Sequence, residues 1–191
     1  MTHKLLTLTA TLLLMISSPS YAETMELGPA IGTPIPHDLM VMDQNGNKRS
    51  FKDLTGEKGL VIAFFRSAKW CPFCQIQLID LNMHVNKQAA AKGYNLVGIS
   101  YDNTEVLAQF TKKWSIGYPL LADEGSKIID AFGIRNDKDY KPGEMPWGVP
   151  YPMLVITDHE GVVKAKLSKE GYRNRPEPEV LLEALTALEN N

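Results

Sequence analysis

Two runs decide the fold: Leu60-Val61-Ile62-Ala63-Phe64-Phe65, and then Trp70-Cys71-Pro72-Phe73-Cys74. The first is short, apolar and rich in β-branched and aromatic residues, so it reads as a buried strand. After the second, apolar residues recur at Ile76, Ile79 and Met83 and at Leu78, Leu81 and Val85, which predicts an amphipathic helix over Gln75 to Lys92. The cysteine pair thus sits where a strand turns into a helix. The first turn of a helix has unpaired N–H groups and the positive end of the macrodipole. A thiolate placed there is stabilised and becomes a usable nucleophile at neutral pH. Pro72 suits a first turn because it has no N–H to leave unpaired. Two intervening residues let one sulfur attack a target and the other resolve the mixed disulfide. Arg66 and Lys69 add positive potential, read as exposed and therefore weak.

Cys71 and Cys74 are the only cysteines of the 191 residues. A zinc site needs further Cys or His ligands at suitable spacing, and His37, His84 and His159 are scattered. A purely structural bond between i and i+3 closes a tiny loop and removes little unfolded-state entropy. Exchange chemistry is the reading left in front, with no metal and no cofactor expected.

Residues 1–22 read as a secretory signal peptide. Lys4 precedes an apolar stretch from Leu5 to Ile16, and Ser20-Tyr21-Ala22 places small residues at the −3 and −1 positions of a cleavage site. The stretch is short for a membrane span. Residues 23–191 are then the mature domain, expected to be exported across the inner membrane and periplasmic in a bacterium. Loss of Lys4 takes the formal charge from −2 to −3, a balance that suggests neither nucleic acid nor a membrane surface as partner. Exported proteins normally use cysteines as staples; allocating both to one motif favours chemistry.

Along the mature chain, Leu39 to Met42, the Asn45-Gly46 turn and Lys48 to Phe51 predict a hairpin. Tyr94 to Ser100 predicts a strand, and Asn103 an N-cap opening a helix to Trp114. Tyr118 to Leu121 reads as a short strand and Glu124 to Phe132 as a short helix. Arg135 to Pro152 carries four prolines and reads as a long loop. Met153 to Thr157 and Val162 to Leu167 predict a closing hairpin, and Pro178 to Leu188 a terminal helix. The pattern predicts a three-layer α/β domain around a mixed sheet.

These segments resemble the thioredoxin superfamily, and more narrowly the alkyl hydroperoxide reductase/thiol-specific antioxidant group of peroxiredoxins and exported thioredoxin-like proteins. The residues that carry the resemblance are Phe64 to Cys74, Gly98-Ile99-Ser100-Tyr101-Asp102, Tyr118-Pro119-Leu120-Leu121-Ala122-Asp123 and Val155 to Gly161. The likeness spans nearly all of residues 27–190. It implies a thioredoxin-like α/β/α fold with an N-terminal β-hairpin extension. It implies an antioxidant-type oxidoreductase with Cys71 and Cys74 as the redox-active disulfide. Where a peroxiredoxin carries a Thr or Ser three residues before its peroxide-reacting Cys, this chain has Cys71. Where it carries an Arg before the late strand, this chain has Pro152. The thioredoxin counterpart of Pro152 is a cis-proline facing the disulfide, so a cis Tyr151–Pro152 bond is expected. Trp70, Tyr151 and Pro152 are the expected substrate-docking residues.

The leading function is therefore a thiol-disulfide oxidoreductase cycling Cys71/Cys74 between dithiol and disulfide. Its partners are protein or small-molecule thiols and disulfides and an external electron donor. The alternative is a thiol peroxidase reducing hydroperoxides through Cys74, with Cys71 resolving. A copper metallochaperone is a minor alternative, since copper carriers of this fold resemble CxxxC plus a distant His and the spacing here is CxxC. Cys71 is expected to attack first, being nearer the helix start and solvent. His84 and His159 are expected at the surface.

Overall fold

The computed structural model describes residues 27–169 and 174–189. The predicted signal peptide lies outside them. The strands are β1 (Val41–Asp43), β2 (Lys48–Arg49), β3 (Gly59–Phe64), β4 (Tyr94–Ser100), β5 (Leu120–Ala122), β6 (Met153–Asp158) and β7 (Val163–Leu167). The helices are α1 (Phe51–Leu54), α2 (Pro72–Asp80), α3 (Asn86–Ala91), α4 (Thr104–Trp114), α5 (Lys127–Ala131) and α6 (Pro178–Glu189), with a π-helical turn Leu81–Val85 joining α2 to α3.

The strands form one sheet in the order β2-β1-β5-β4-β3-β6-β7. β3 is an interior strand, flanked by β4 and β6, and is buried at all six positions. It runs parallel to β4 and antiparallel to β6, so the sheet is mixed. Side-chain alternation feeds two cores. Val61, Ala63 and Phe65 pack with Leu78, Leu81 and Val85 and with Leu181 and Leu185 of α6. Leu60, Ile62 and Phe64 pack with Ile128, Ile129 and Phe132 on the other face. Gly98 keeps the first face open, because a Cβ there would lie 2.7 Å from Leu120 Cδ2 and 3.1 Å from Phe65 Cε1. The three-layer α/β/α expectation holds, and the N-terminal hairpin joins the sheet edge through β1 and β5.

Some boundaries differ from the sequence reading. Phe51 opens α1 instead of ending a strand, because the Asp53 carboxylate reaches back to accept from Ser50 N–H at 3.0 Å and Ser50 Oγ at 2.6 Å. The short helix starts at Lys127, where both Asp123 oxygens accept N–H groups from Ile128 and Ile129. The predicted single helix over 75–92 begins earlier, at Pro72, and widens at Leu81–Val85, where Asn86 N–H reaches Leu81 O. Asn82 and Asn86 on this stretch bond the 115–117 connection. Asn103 caps α4 as expected, accepting from Val106 N–H at 3.0 Å.

The proline-rich loop is partly a ribbon. Arg135 and Pro150 form an antiparallel bridge, Asn136 N–H donates to Val149 O and Tyr151 N–H to Ile134 O. This corrects the cis-proline expectation. No peptide bond among the described residues is cis, so Tyr151–Pro152 is trans. The ribbon delivers an extended chain straight into β6, and a trans bond continues it at no cost.

Candidate active site

Cys71 is the N-cap of α2 and Pro72 occupies its first turn. The extended backbone at Cys71 turns its sulfur back over the helix start, where it accepts from Cys74 N–H at 3.3 Å. Cys71 and Cys74 are bonded to each other with their Cα atoms 5.2 Å apart, within the usual range for a disulfide. Both are fully buried at 0% exposure, which corrects the expectation that Cys71 faces solvent.

What covers the sulfurs is a pair of guanidiniums. Arg66 Nη2 lies 3.2 Å from Cys71 Sγ, and Arg175 Nη2 lies 3.3 Å from Cys74 Sγ. Arg66 is only 3% exposed, so its charge acts in a less screened setting than the sequence reading assumed. Burial, and then the like charge of Arg66, pull the Arg175 guanidinium down to about 10. It stays cationic at neutral pH. Each sulfur thus has its own cationic donor. Cys71 has a helix N–H as well.

The turn that presents these groups is organised by Asp102, which stands at the end of β4. Its buried carboxylate accepts from Ser67 Oγ at 2.7 Å, Ala68 N–H at 2.6 Å and Ser100 Oγ at 3.0 Å. Ser67 Oγ in turn accepts from Lys69 N–H at 3.0 Å. Burial raises the Asp102 carboxyl, and the bonds to Ser67, Ala68 and Ser100 partly offset that. Trp70 is fixed on the same turn. Its Nε1–H donates to Tyr101 OH at 2.9 Å, and the Arg66 guanidinium lies 5.5 Å from its ring centroid, within cation–π range. Arg66 Nη1 also donates to Tyr140 OH at 3.2 Å, and Tyr101 OH to Met145 O at 3.5 Å. Tyr140 and Met145 bring the 135–152 loop to the site, as its proline density suggested.

Cys71, Cys74 and Trp70 are therefore brought together. Pro152 immediately precedes β6, whose first residue Met153 pairs with Phe64, two residues before Arg66. Tyr151 is held by its N–H on Ile134 O at 2.7 Å, with its phenol pushed up by burial and by Asp139 and Asp137. His84 and His159 are exposed, as expected. Arg175, Tyr140 and the Asp102 network were missed. Arg175 is 101 residues from Cys74, and nothing in the spacing signals that contact. Asp102 carries a sequence signal, since it follows a predicted strand end two residues after Ser100.

The AhpC/TSA family model matches residues 31–166. Thiol-disulfide oxidoreductase ResA of Bacillus cereus is 26% identical over 148 residues, which cover 77% of this chain and 75% of that protein. Peroxiredoxin Bcp of Escherichia coli is 29% identical over 114 residues, covering 60% of this chain and 71% of that protein. The crystal structure of peroxidoxin BcpB from Mycobacterium tuberculosis superposes with a TM-score of 0.68 at 22% identity, over 86% of this chain and 97% of that one. That likeness shows the thioredoxin-like fold. The family match runs from the N-terminal hairpin through the cysteine helix to β7, so the chain belongs to the AhpC/TSA family.

Proposed function

We propose that this protein is a thiol-disulfide oxidoreductase in which Cys71 and Cys74 cycle between dithiol and disulfide. The observation that carries it is the bonded pair at a helix start with a guanidinium on each sulfur. In the dithiol form the Cys71 thiolate attacks a target disulfide. The Cys71–target bond forms and one target thiolate leaves. Cys74 then attacks Cys71, releases the second target thiolate and restores the internal bond. Two electrons pass to the target, and the reverse sequence oxidises it; the donor's potential sets the direction. Trp70, Tyr151 and Pro152 are the proposed docking residues, and Trp70 is the best supported, being pinned beside Arg66. The kinship with a thiol-disulfide oxidoreductase supports this reading. The test is reduction of insulin with dithiothreitol as donor. Loss of turnover in a Cys71→Ser/Cys74→Ser variant is expected, and wild-type protein without turnover would refute the reading.

One observation favours a second reading, thiol peroxidase. Counting along the sequence finds no arginine for the peroxide, yet Arg175 supplies a guanidinium to Cys74 from the far end of the chain. A Cys74 thiolate would attack the terminal oxygen of ROOH, ROH would leave, and the Cys74 sulfenic acid would condense with Cys71 with loss of water. The position for a hydroxyl donor is still taken by Cys71. The copper-carrier reading gains nothing, because two guanidiniums within 3.3 Å of the sulfurs oppose a cation there. Export of the mature domain from residue 23, to the periplasm in a bacterium, completes the proposal and rests on the segment 1–22.

A further inference from the structure

Along α2 from Cys74 lies a second feature that the exchange chemistry leaves unused. Between α2 and the segment Arg175 to Pro178 there is a cavity of about 190 Å³. Phe73, Ile76 and Leu81 supply apolar wall, and Gln77, Asp80 and Arg175 supply polar groups. Gln77 is 6% exposed, and among the described residues neither its amide nitrogen nor its amide oxygen has a hydrogen-bond partner. Leaving a buried amide unpaired costs about 1–3 kcal/mol, so such a group calls for an explanation. Arg175 connects the cavity to the chemistry, since its Nη2 also touches Cys74 Sγ. Glu177, at the edge, is already paired with Lys169.

The three polar groups differ in kind. A guanidinium takes a carboxylate, a carboxylate takes an ammonium, and a primary amide takes one donor and one acceptor. Together they match the free α-amino-acid end of a small molecule. The volume agrees, being below the roughly 300 Å³ at which pockets for drug-sized ligands begin. An incoming carboxylate also relieves the repulsion that Arg175 feels from Arg66.

We propose that this cavity binds the amino-acid end of a low-mass thiol that reduces the protein's disulfide by attack on Cys74. The proposal rests on the oxidoreductase reading and names its electron donor by class. The bound thiolate RS⁻ attacks Cys74 Sγ, so the Cys74–S–R bond forms and the Cys71–Cys74 bond breaks. The electron pair leaves on Cys71, whose thiolate is held by Arg66 and Cys74 N–H. A second RS⁻ attacks the R sulfur, RSSR departs, and Cys74 keeps the electron pair. Two thiols have given up two electrons and two protons to one disulfide.

The test uses S-methylglutathione, which has the amino-acid end but cannot react, titrated into the oxidised protein and followed by amide chemical shifts. Saturable binding centred on Gln77 and Asp80 is expected. Gln77→Leu and Asp80→Asn should each weaken it about tenfold, the equivalent of 1.4 kcal/mol. Gln77→Leu should keep or raise the melting temperature, because an apolar group replaces an unpaired amide. Absence of binding up to about 10 mM, tenfold above the millimolar affinity of a poor ligand, would overturn the proposal. So would wild-type affinity in a folded Gln77→Leu protein. Binding is read without turnover. Failure of insulin reduction with dithiothreitol would remove the oxidoreductase reading and leave the binding result standing, and the converse also holds.

Discussion

Arg175 Nη2 lies 3.3 Å from Cys74 Sγ, although 101 residues separate the two. The contact joins the approach to α6 to the first turn of α2, so the end of the domain helps set the chemistry of its central motif. Cys74 itself lies one turn into the helix, where burial alone raises a thiol's pKa. The guanidinium works against that. A hydrogen bond to a charged group contributes about 1.5–3 kcal/mol, or about one to two pKa units. In a Cys71→Ser background, where Cys74 is the only thiol, Arg175→Met should raise the Cys74 pKa by about that amount. Thiolate absorbance against pH measures it, and an unchanged titration would show that Cys74 does not feel the arginine.

Asp102 gives a pH-dependent prediction. Burial raises its folded-state pKa above the unfolded value. Folding therefore favours its protonated form. That contribution is full at acid pH below the unfolded value and is lost as pH rises through the folded one. Asp102→Asn removes this dependence from the stability curve. It also removes acceptors for Ser67, Ala68 or Ser100. At neutral pH the variant should lose about 1–3 kcal/mol, or about 2–12 °C in melting temperature. Thermal unfolding across pH checks both statements, and a parallel wild-type and variant pH profile would refute the first.

Legibility followed the range of the interaction that fixes each part. β3, β4 and α4 are readable because a short apolar, β-branched-rich run and the Asn103 cap act within a few residues. So is the placement of Cys71 at a helix start, since Pro72 and the apolar spacing after it are local. The trans Tyr151–Pro152 bond was misread because its cause is tertiary: the ribbon pairing of 149–151 with 134–136. Arg66 reads in the sequence as an exposed charge. Its burial depends on Tyr140 and Trp70 closing over it, and neither contact leaves a local trace.

The N-terminal segment predicts a processed protein. Lys4, the apolar stretch from Leu5 to Ile16 and the Ser20-Tyr21-Ala22 site should direct export with cleavage after Ala22. N-terminal sequencing of protein from the natural host should begin at Glu23 in a fraction outside the cytoplasm. Recovery of an intact Met1 form from the cytosol would contradict this.

The order in which the sulfurs act follows from their donors. Both are buried, so accessibility does not rank them. Cys71 Sγ receives a guanidinium at 3.2 Å and a helix N–H at 3.3 Å, whereas Cys74 Sγ receives one guanidinium at 3.3 Å. Thiolate stability therefore favours Cys71 as the first nucleophile toward a protein disulfide and as the better leaving group on return. Cys74→Ser should accumulate mixed disulfides with insulin chains through Cys71, while Cys71→Ser should trap about tenfold less, the ratio expected for one pKa unit. Peroxide should oxidise the reduced wild-type protein slowly, because Cys71 stands three residues before Cys74, where a hydroxyl would be needed to orient the peroxide. Mass spectrometry of the trapped adducts and stopped-flow mixing with peroxide read the two arms. A sulfenate at Cys74 within milliseconds of adding micromolar peroxide would reverse the assignment and make the peroxidase reading the correct one.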